Sequence, residues 1–344
     1  MSGGVDSSVA AALLKNEGYD VTGVFMKNWS GKEFGIEGNC PWEQDQADVM
    51  AVCKILNIPF RSYNFEKQYR ESVISYFFEE LKAGRTPNPD VMCNKEIKFK
   101  HFLEKSLGMG ADLIATGHYA RVRYDAKTKN YELLKGLDAN KDQSYFLYNL
   151  DQQQLAKVLF PIGEYTKPEI RKLAAKFRLP VAKKPDSQGI CFIGEINVKQ
   201  LIKSRLKPKQ GDIKDLDSGK TIGKHEGVQF YTIGQREGIG IGGAGEPYYV
   251  IGKQAKSNTL VVAKGKQNPA LFNRAVKFTS PHFIAKDFDG RSLSAAIRYR
   301  QKASRGKLSE DGTFVFDTPQ RAVASGQSIV FYQNEKVLGG AIIA

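Results

Sequence analysis

The groups in this chain best suited to covalent chemistry are two thiols, Cys93 and Cys191. Each lies in a stretch rich in Pro, Gly, Asn and Asp: Thr86-Pro87-Asn88-Pro89-Asp90 precedes the first, and Pro185-Asp186-Ser187-Gln188-Gly189-Ile190 the second. Loops of that composition seldom carry core residues, which favours function over burial as a small hydrophobe. Cys53 lies on a helical apolar pattern and reads as a core residue, while Cys40 is undecided. No pair has Cys-x-x-Cys spacing, so zinc has no support, and the thiols are too few and dispersed for a disulfide scaffold. A reducing, cytoplasmic setting fits. Asp90, three residues before Cys93, can serve as a general base or orient a substrate; as a residue after proline it can equally be a turn former.

A second candidate opens the chain. Ser2-Gly3-Gly4-Val5-Asp6-Ser7-Ser8 leads into Val9-Ala10-Ala11-Ala12-Leu13-Leu14, whose alanines and apolar spacing suit a helix packed on a sheet. The first N–H groups of a helix lack intrahelical partners and the dipole there is positive, so an anion is stabilised. Gly3 and Gly4 let the backbone approach a pyrophosphate, and Ser7 and Ser8 add donors. No lysine occurs before Lys15, which excludes the Walker loop. The other reading is a glycine turn capping a helix. A phosphate loop normally follows a buried strand, but only Met1 and Ser2 precede this one, so a missing leading strand is expected.

The elements that would position these groups alternate. Helix, strand (Asp20 to Met26), helix (Glu43 to Leu56) and strand (Ile58 to Tyr63) predict a parallel α/β sheet. A long amphipathic helix over Tyr69 to Leu81 breaks at the two prolines, and helix resumes from Asn94 to Leu107. The strand Ala111 to Ala115 ends at Thr116-Gly117-His118-Tyr119, where ligands of open α/β sheets bind. Residues Arg123 to Asp142 read as an antiparallel excursion, and Lys167 to Phe177 as a helix. We place the α/β domain at 1–194, a small mostly β middle domain at 195–272 with strands such as Gln229 to Ile233 and Tyr248 to Ile251, and a C-terminal β-barrel at 273–344.

Lys and Arg outnumber Asp and Glu by 51 to 37, a net +14 spread along all 344 residues, which predisposes the chain to polyanions, nucleic acid above all. No apolar run is long enough for a membrane span and no signal peptide is visible.

Taken in order, the opening Ser-Gly-Gly-Val-Asp-Ser-Ser, Met26-Lys27-Asn28-Trp29, Thr86 to Asp90 with Cys93-Asn94, Thr116-Gly117-His118-Tyr119, Lys141-Asp142-Gln143-Ser144-Tyr145 and Gly189-Ile190-Cys191-Phe192 closely resemble the tRNA-specific 2-thiouridylase family. Gly234-Gln235-Arg236, Arg298-Tyr299-Arg300-Gln301 and Ser325 to Tyr332 extend the likeness over nearly the whole chain. The opening motif resembles the PP-loop of ATP pyrophosphatases, which implies an adenine nucleotide alpha hydrolase-like domain.

The resemblance implies adenylation of the C2 oxygen of the wobble uridine, followed by sulfur transfer. ATP with Mg²⁺ would be held by Ser2, Gly3, Gly4, Val5, Asp6, Ser7, Met26 and Gly117. Cys191 would carry a persulfide, Cys93 would attack it and leave a transient Cys93–Cys191 disulfide, and Asp90 would act as base or orienter. Asn88, Pro89, Asp90, His118, Lys141, Asp142, Gln143, Tyr299, Arg300 and Gln327 match the family's tRNA-contacting positions. A sulfur-donor or relay protein is the implied partner, and the free protein is expected to be a monomer with no resident metal. Competing readings are another adenylating tRNA-modifying enzyme, which needs no cysteine pair, an inactive tRNA-binding module, and a thiol redox protein, which leaves the phosphate loop unexplained.

Overall fold

The computed structural model describes residues 1–30, 41–186, 198–242, 245–284 and 293–344, so Cys40 and Cys191 lie outside the described residues. Helix α1 (Val5–Asn16) follows the glycine pair and buries Val5, Val9, Ala10 and Leu13 against Val52, Ile170 and Ala174. Gly18 ends it: at φ +89° it donates to Lys15 O, and Tyr19 N–H reaches back to Leu14 O, a Schellman turn that only a residue tolerant of positive φ closes without strain.

Strands β1 (Gly23–Lys27) and β2 (Phe60–Asn64) pair in parallel across helix α2 (Pro41–Leu56). A second parallel pair joins β3 (Ile114–Ala115) to β6 (Val158–Leu159); between them in sequence, β4 (Ala120–Asp125) and β5 (Asn130–Lys135) form an antiparallel hairpin. Among the described residues no strand precedes α1, and the two parallel pairs form separate sheets.

One expectation about the first cysteine needs correction. Asn88 is a helix cap whose Oδ1 accepts Val91 N–H at 3.3 Å, and Pro89 fills the first helical position. The helix continues from Pro89–Met92 through wide π-type turns at Cys93–Phe102 to Leu103–Gly108. Cys93 is therefore helical and fully buried, in a core shared with Ile97 and Phe99. Asn-Pro, read as a break, is also how a helix starts: the missing proline N–H costs nothing in the first turn.

The middle region forms a four-stranded sheet in the order β8-β7-β10-β9, from β7 (Gly211–Asp215), β8 (Thr221–His225), β9 (Tyr248–Gln254) and β10 (Thr259–Lys264), closed over Ile213, Val250, Leu260 and Val262. The strand expected over Gln229 to Ile233 is absent. Gly227, at φ +137°, turns the chain into a 3-10 turn at Val228–Phe230, and Tyr231 is buried from that irregular segment.

Six C-terminal strands, β11 (Phe272–Phe283), β12 (Leu293–Ala296), β13 (Ser304–Ser309), β14 (Thr313–Arg321), β15 (Ser328–Gln333) and β16 (Lys336–Ile343), run β11-β14-β13-β12-β15-β16, and pairing of β16 with β11 closes the barrel. Phe314, Phe316 and Phe331 fill it. Sequence spacing does not reveal that β5 pairs with β16, Leu133 opposite Val337, so that the N-terminal hairpin extends the barrel sheet. Among the described residues no helix is long and apolar enough to cross a membrane.

Candidate active site

A continuous cavity lies between the two parallel strand pairs, walled in part by the inner face of α1 at Ala10 and Leu14, by Val24 on β1 and by Leu113 next to β3, and it extends from the opening loop to the edge of the barrel. Its walls carry Ser2, Gly4, Val5, Asp6, Ser7 and Met26 at one end and Asp90, Lys141, Gln143, Tyr299 and Arg300 at the other, with Gly117 and His118 along the same space.

The loop end is built by close backbone approach. Gly3, at φ +71°, sits where a Cβ would fall 2.7 Å from Asp45 O, and a Cβ on Gly117 would fall 2.6 Å from Ser7 N. Ser7 Oγ accepts from Ser2 N–H at 3.1 Å and folds the loop around the helix start. Ser8 does not face the cavity: its hydroxyl donates to Gly4 O at 2.8 Å, as buried helix serines do. Gly117→Ala is expected to push the start of α1 out of place, since every atom it meets is backbone. We predict nucleotide affinity weakened about 10- to 100-fold, matching an overpacking cost of about 1–3 kcal/mol, measured by calorimetric titration with a non-hydrolysable ATP analogue.

The opening motif has no cation of its own, and the fold supplies one from far along the chain. Lys167, buried at the start of the helix Lys167–Lys176, places Nζ 2.7 Å from Asp6 Oδ1 and 2.8 Å from Asp186 Oδ1. Its position is fixed by its neighbours: Glu169 accepts from Thr166 N and Oγ1 at 2.7 Å each, and Lys167 N–H donates to Asp138 at 2.9 Å. Tyr119 hydroxyl also donates to Asp6, at 2.9 Å. Asp186 gathers two further cations, Lys141 at 2.6 Å and Arg171 at 2.9 Å. Burial alone would raise the Asp186 carboxyl; hydrogen bonds from Lys141 and Lys167 outweigh it and hold the pKa at about 2. These contacts span up to 161 residues, and the only local signs of them are the Thr-Lys-Pro-Glu helix start and the Pro-Asp dipeptide.

The other end is a helical stripe. Asp90, Asn94, Lys98 and Phe102 all line the cavity, four residues apart, on turns wide enough for that spacing to align. Cys93 lies off the stripe and faces the core. Asn94 is 4% exposed and its Oδ1 has no hydrogen-bond partner; Asn28, 2% exposed, has neither side-chain atom paired. Buried amides left open on a cavity wall suit a ligand with its own donors and acceptors, as a nucleobase edge has.

His118 is buried between Phe99 and Phe160, with Nδ1 2.7 Å from Thr116 Oγ1 and Nε2 3.3 Å from Lys98 Nζ. Burial, with Lys98 adding to it, holds the imidazole pKa well below its usual value, so the ring is neutral. Tyr299 packs on Phe146 at 4.6 Å, and the Arg300 guanidinium lies 5.2 Å from the Tyr299 ring in a left-handed backbone turn at φ +61°. That platform offers an aromatic face and a cation, as an unpaired base and its phosphate require.

Not every expected residue reaches the cavity. Asp142 is spent on its own turn, accepting from Gly136 and Ser144 N–H at 3.1 and 3.0 Å, and burial raises its pKa. Asn88 is buried as a helix cap, and Gln327 donates to Thr86 O and Pro87 O at 3.1 and 2.9 Å.

Comparison with known proteins agrees with this architecture. Residues 1–195 match the tRNA methyl transferase HUP domain model, 199–264 the tRNA methyl transferase PRC-barrel domain and 273–343 the aminomethyltransferase beta-barrel domain. The chain is 51% identical to the tRNA-specific 2-thiouridylase MnmA of Bacillus licheniformis, over all of this chain and 93% of that protein. The protein of the same name from Staphylococcus carnosus is 49% identical, again over 100% and 93%. With half of its residues shared from end to end, and a HUP domain bearing the glycine loop ahead of two β domains, the chain belongs to the tRNA-specific 2-thiouridylase family.

Proposed function

We propose that this protein uses ATP to adenylate the C2 oxygen of the wobble uridine in tRNA and replaces that oxygen with sulfur. The observation that supports this best is the continuity of one cavity from the Asp6 loop to Asp90, Asn94 and the Tyr299–Arg300 platform, so that a nucleotide and an extruded base meet in one space.

The uridine O2 attacks the α-phosphorus of ATP and pyrophosphate leaves from the helix start, where Lys167 and the first N–H groups of α1 stabilise its charge. Mg²⁺ would supply further charge neutralisation on the phosphates. Among the described residues no group of three or more acidic, His or Cys side chains could hold a metal alone, and Mg²⁺ needs only one or two carboxylates with substrate phosphates, so Asp6 is the residue that would hold it.

Cys191 carries the sulfur as a persulfide, with Cys93 as its partner. The Cys93 thiolate attacks the inner sulfur of the persulfide; a Cys93–Cys191 disulfide forms as the outer sulfur bonds to C2, and AMP leaves with the oxygen. An external thiol reduces the disulfide. Asp90, on the cavity wall, takes a proton or orients the base. Asn88 and Pro89 shape the helix start under Asp90, while His118, Lys141, Gln143, Tyr299 and Arg300 receive the anticodon. We assign the domains to 1–194, 195–272 and 273–344, the location to the cytoplasm, the sulfur supply to a donor or relay protein, and the free state to a monomer.

The test is nucleoside mass spectrometry of unmodified tRNA incubated with protein, ATP, Mg²⁺ and a sulfur source. The expected result is 2-thiouridine from the parent and none from Cys191→Ser. Equal product from both would remove Cys191 from its role. No product with retained tRNA binding would favour an RNA-binding module.

A further inference from the structure

The segment from Gly84 to Asp90, which leads into the cavity-lining helix, is gripped from both β regions of the chain. From the barrel side, Thr86 N–H donates to Ser325 O at 2.8 Å, and Gln327 Nε2 donates to Thr86 O at 3.1 Å and Pro87 O at 2.9 Å. Between them, Gly326 sits at φ +88° where a Cβ would fall 2.8 Å from Thr86 O. From the middle sheet, Lys253 on β9 donates Nζ to Thr86 Oγ1 at 3.3 Å, and a Cβ on Gly84 would fall 2.8 Å from Ala255 Cβ. Within the α/β region the segment has its own brace, Arg85 on Glu80 through Nε at 2.7 Å.

We propose that Gln327 and Lys253 are positioning residues that set the helix start carrying Asp90 and Cys93, so that the β regions complete the active site from behind. Three features support this. Gln327 spends its amide on two consecutive carbonyls of a segment 240 residues away, a use that fixes a backbone and takes that donor away from RNA. Lys253 is half-buried, and desolvation pushes its pKa down to about 8; its Nζ is directed at the Thr86 hydroxyl. Both act on Thr86, and Gln327 on Pro87 as well, just ahead of the Asn88 cap, and a cap defines where the helix begins. A small shift there moves Asp90 and Asn94 together along the cavity wall.

The inference rests on the proposed thiolation, and the experiment separates the two. Gln327→Met and Lys253→Met, with Thr86→Val to remove the lysine contact from the other side, are compared with the parent for single-turnover 2-thiouridine formation and for tRNA affinity by filter binding. Misplacement of reacting groups predicts a rate at least about tenfold lower for Gln327→Met and about threefold or more lower for Lys253→Met, with tRNA Kd within about twofold of the parent. Lys253→Met added to Thr86→Val should cost nothing further, because both remove one contact. A tRNA Kd that rises in step with the lost rate would overturn the proposal for Gln327 and make it a direct RNA contact. Additive effects of Lys253→Met and Thr86→Val would overturn it for Lys253. A parent protein that makes no 2-thiouridine would refute the functional reading, a result distinct from either.

Discussion

Lys167→Met is expected to lower kcat/KM for ATP about 100-fold or more, measured as pyrophosphate release in the presence of tRNA, because removing one partner of a buried ion pair costs about 3–5 kcal/mol. The geometry allows little compensation. Lys167 has a side chain 11% exposed and lies within 2.8 Å of two carboxylates, one of them on the nucleotide loop. Without it Asp6 keeps the Tyr119 hydroxyl but loses the ammonium beside it, and the departing pyrophosphate loses the cation proposed to stabilise its charge. Two controls isolate the cause. Asp186→Asn leaves the Lys167–Asp6 pair intact and should cost far less, while Lys167→Arg keeps the charge but not the compact ammonium that bridges both carboxylates, and should recover only part of the rate. A Lys167→Met enzyme within about threefold of the parent would reduce the lysine to a helix-start residue.

That residue also marks how far the sequence could be read. Gly3, Gly4 and Asp6 mark the proposed phosphate site because all their spacing is local: a tight turn, then a helix whose first N–H groups have no intrahelical partner. The helices at Pro41–Leu56 and Lys167–Lys176 are legible for the same reason, each declared by its own period or cap. Lys167 was placed in a helix yet not in the site, because its partners are contributed by α1 and by the chain beyond its own helix. The same limit hid β5 against β16 and Gln327 against Thr86, pairings that no window of neighbouring residues contains. The strands Phe272–Phe283 and Ser304–Ser309 are harder to read, because the first is exposed along most of its length and the second offers only Leu308 as an apolar side chain on its half-buried face. Motif resemblance singles out Lys141 and Tyr299, which line the cavity and which periodicity does not mark; it also singles out Asp142, whose carboxylate is engaged by its own turn.

Cys93→Ser should abolish 2-thiouridine formation, a fall of at least about 1000-fold, while ATP-dependent adenylation of tRNA stays within about threefold of the parent. The separation follows from placement. Asp90 and Asn94 face the cavity, whereas Cys93, between them in sequence, is fully buried with Ile97 and Phe99, so adenylation proceeds against a wall that the thiol does not form. A serine hydroxyl in that core costs about 1–3 kcal/mol unless it finds a hydrogen-bond partner, so the melting temperature should fall by several degrees, and Cys93→Ala, which buries no polar group, is the control that separates loss of product from unfolding. Burial adds a second expectation. A thiol without exposure reacts slowly with iodoacetamide, and attack on a persulfide requires the helix start at Asn88–Pro89 to shift and present it. Alkylation of Cys93, followed by peptide mass spectrometry, should therefore be slow in the free protein and accelerate about tenfold or more once tRNA and a non-hydrolysable ATP analogue are bound. Alkylation unchanged by both ligands, together with full thiolation by Cys93→Ser, would leave Cys93 a core residue and require the second sulfur-handling group to be found elsewhere in the chain.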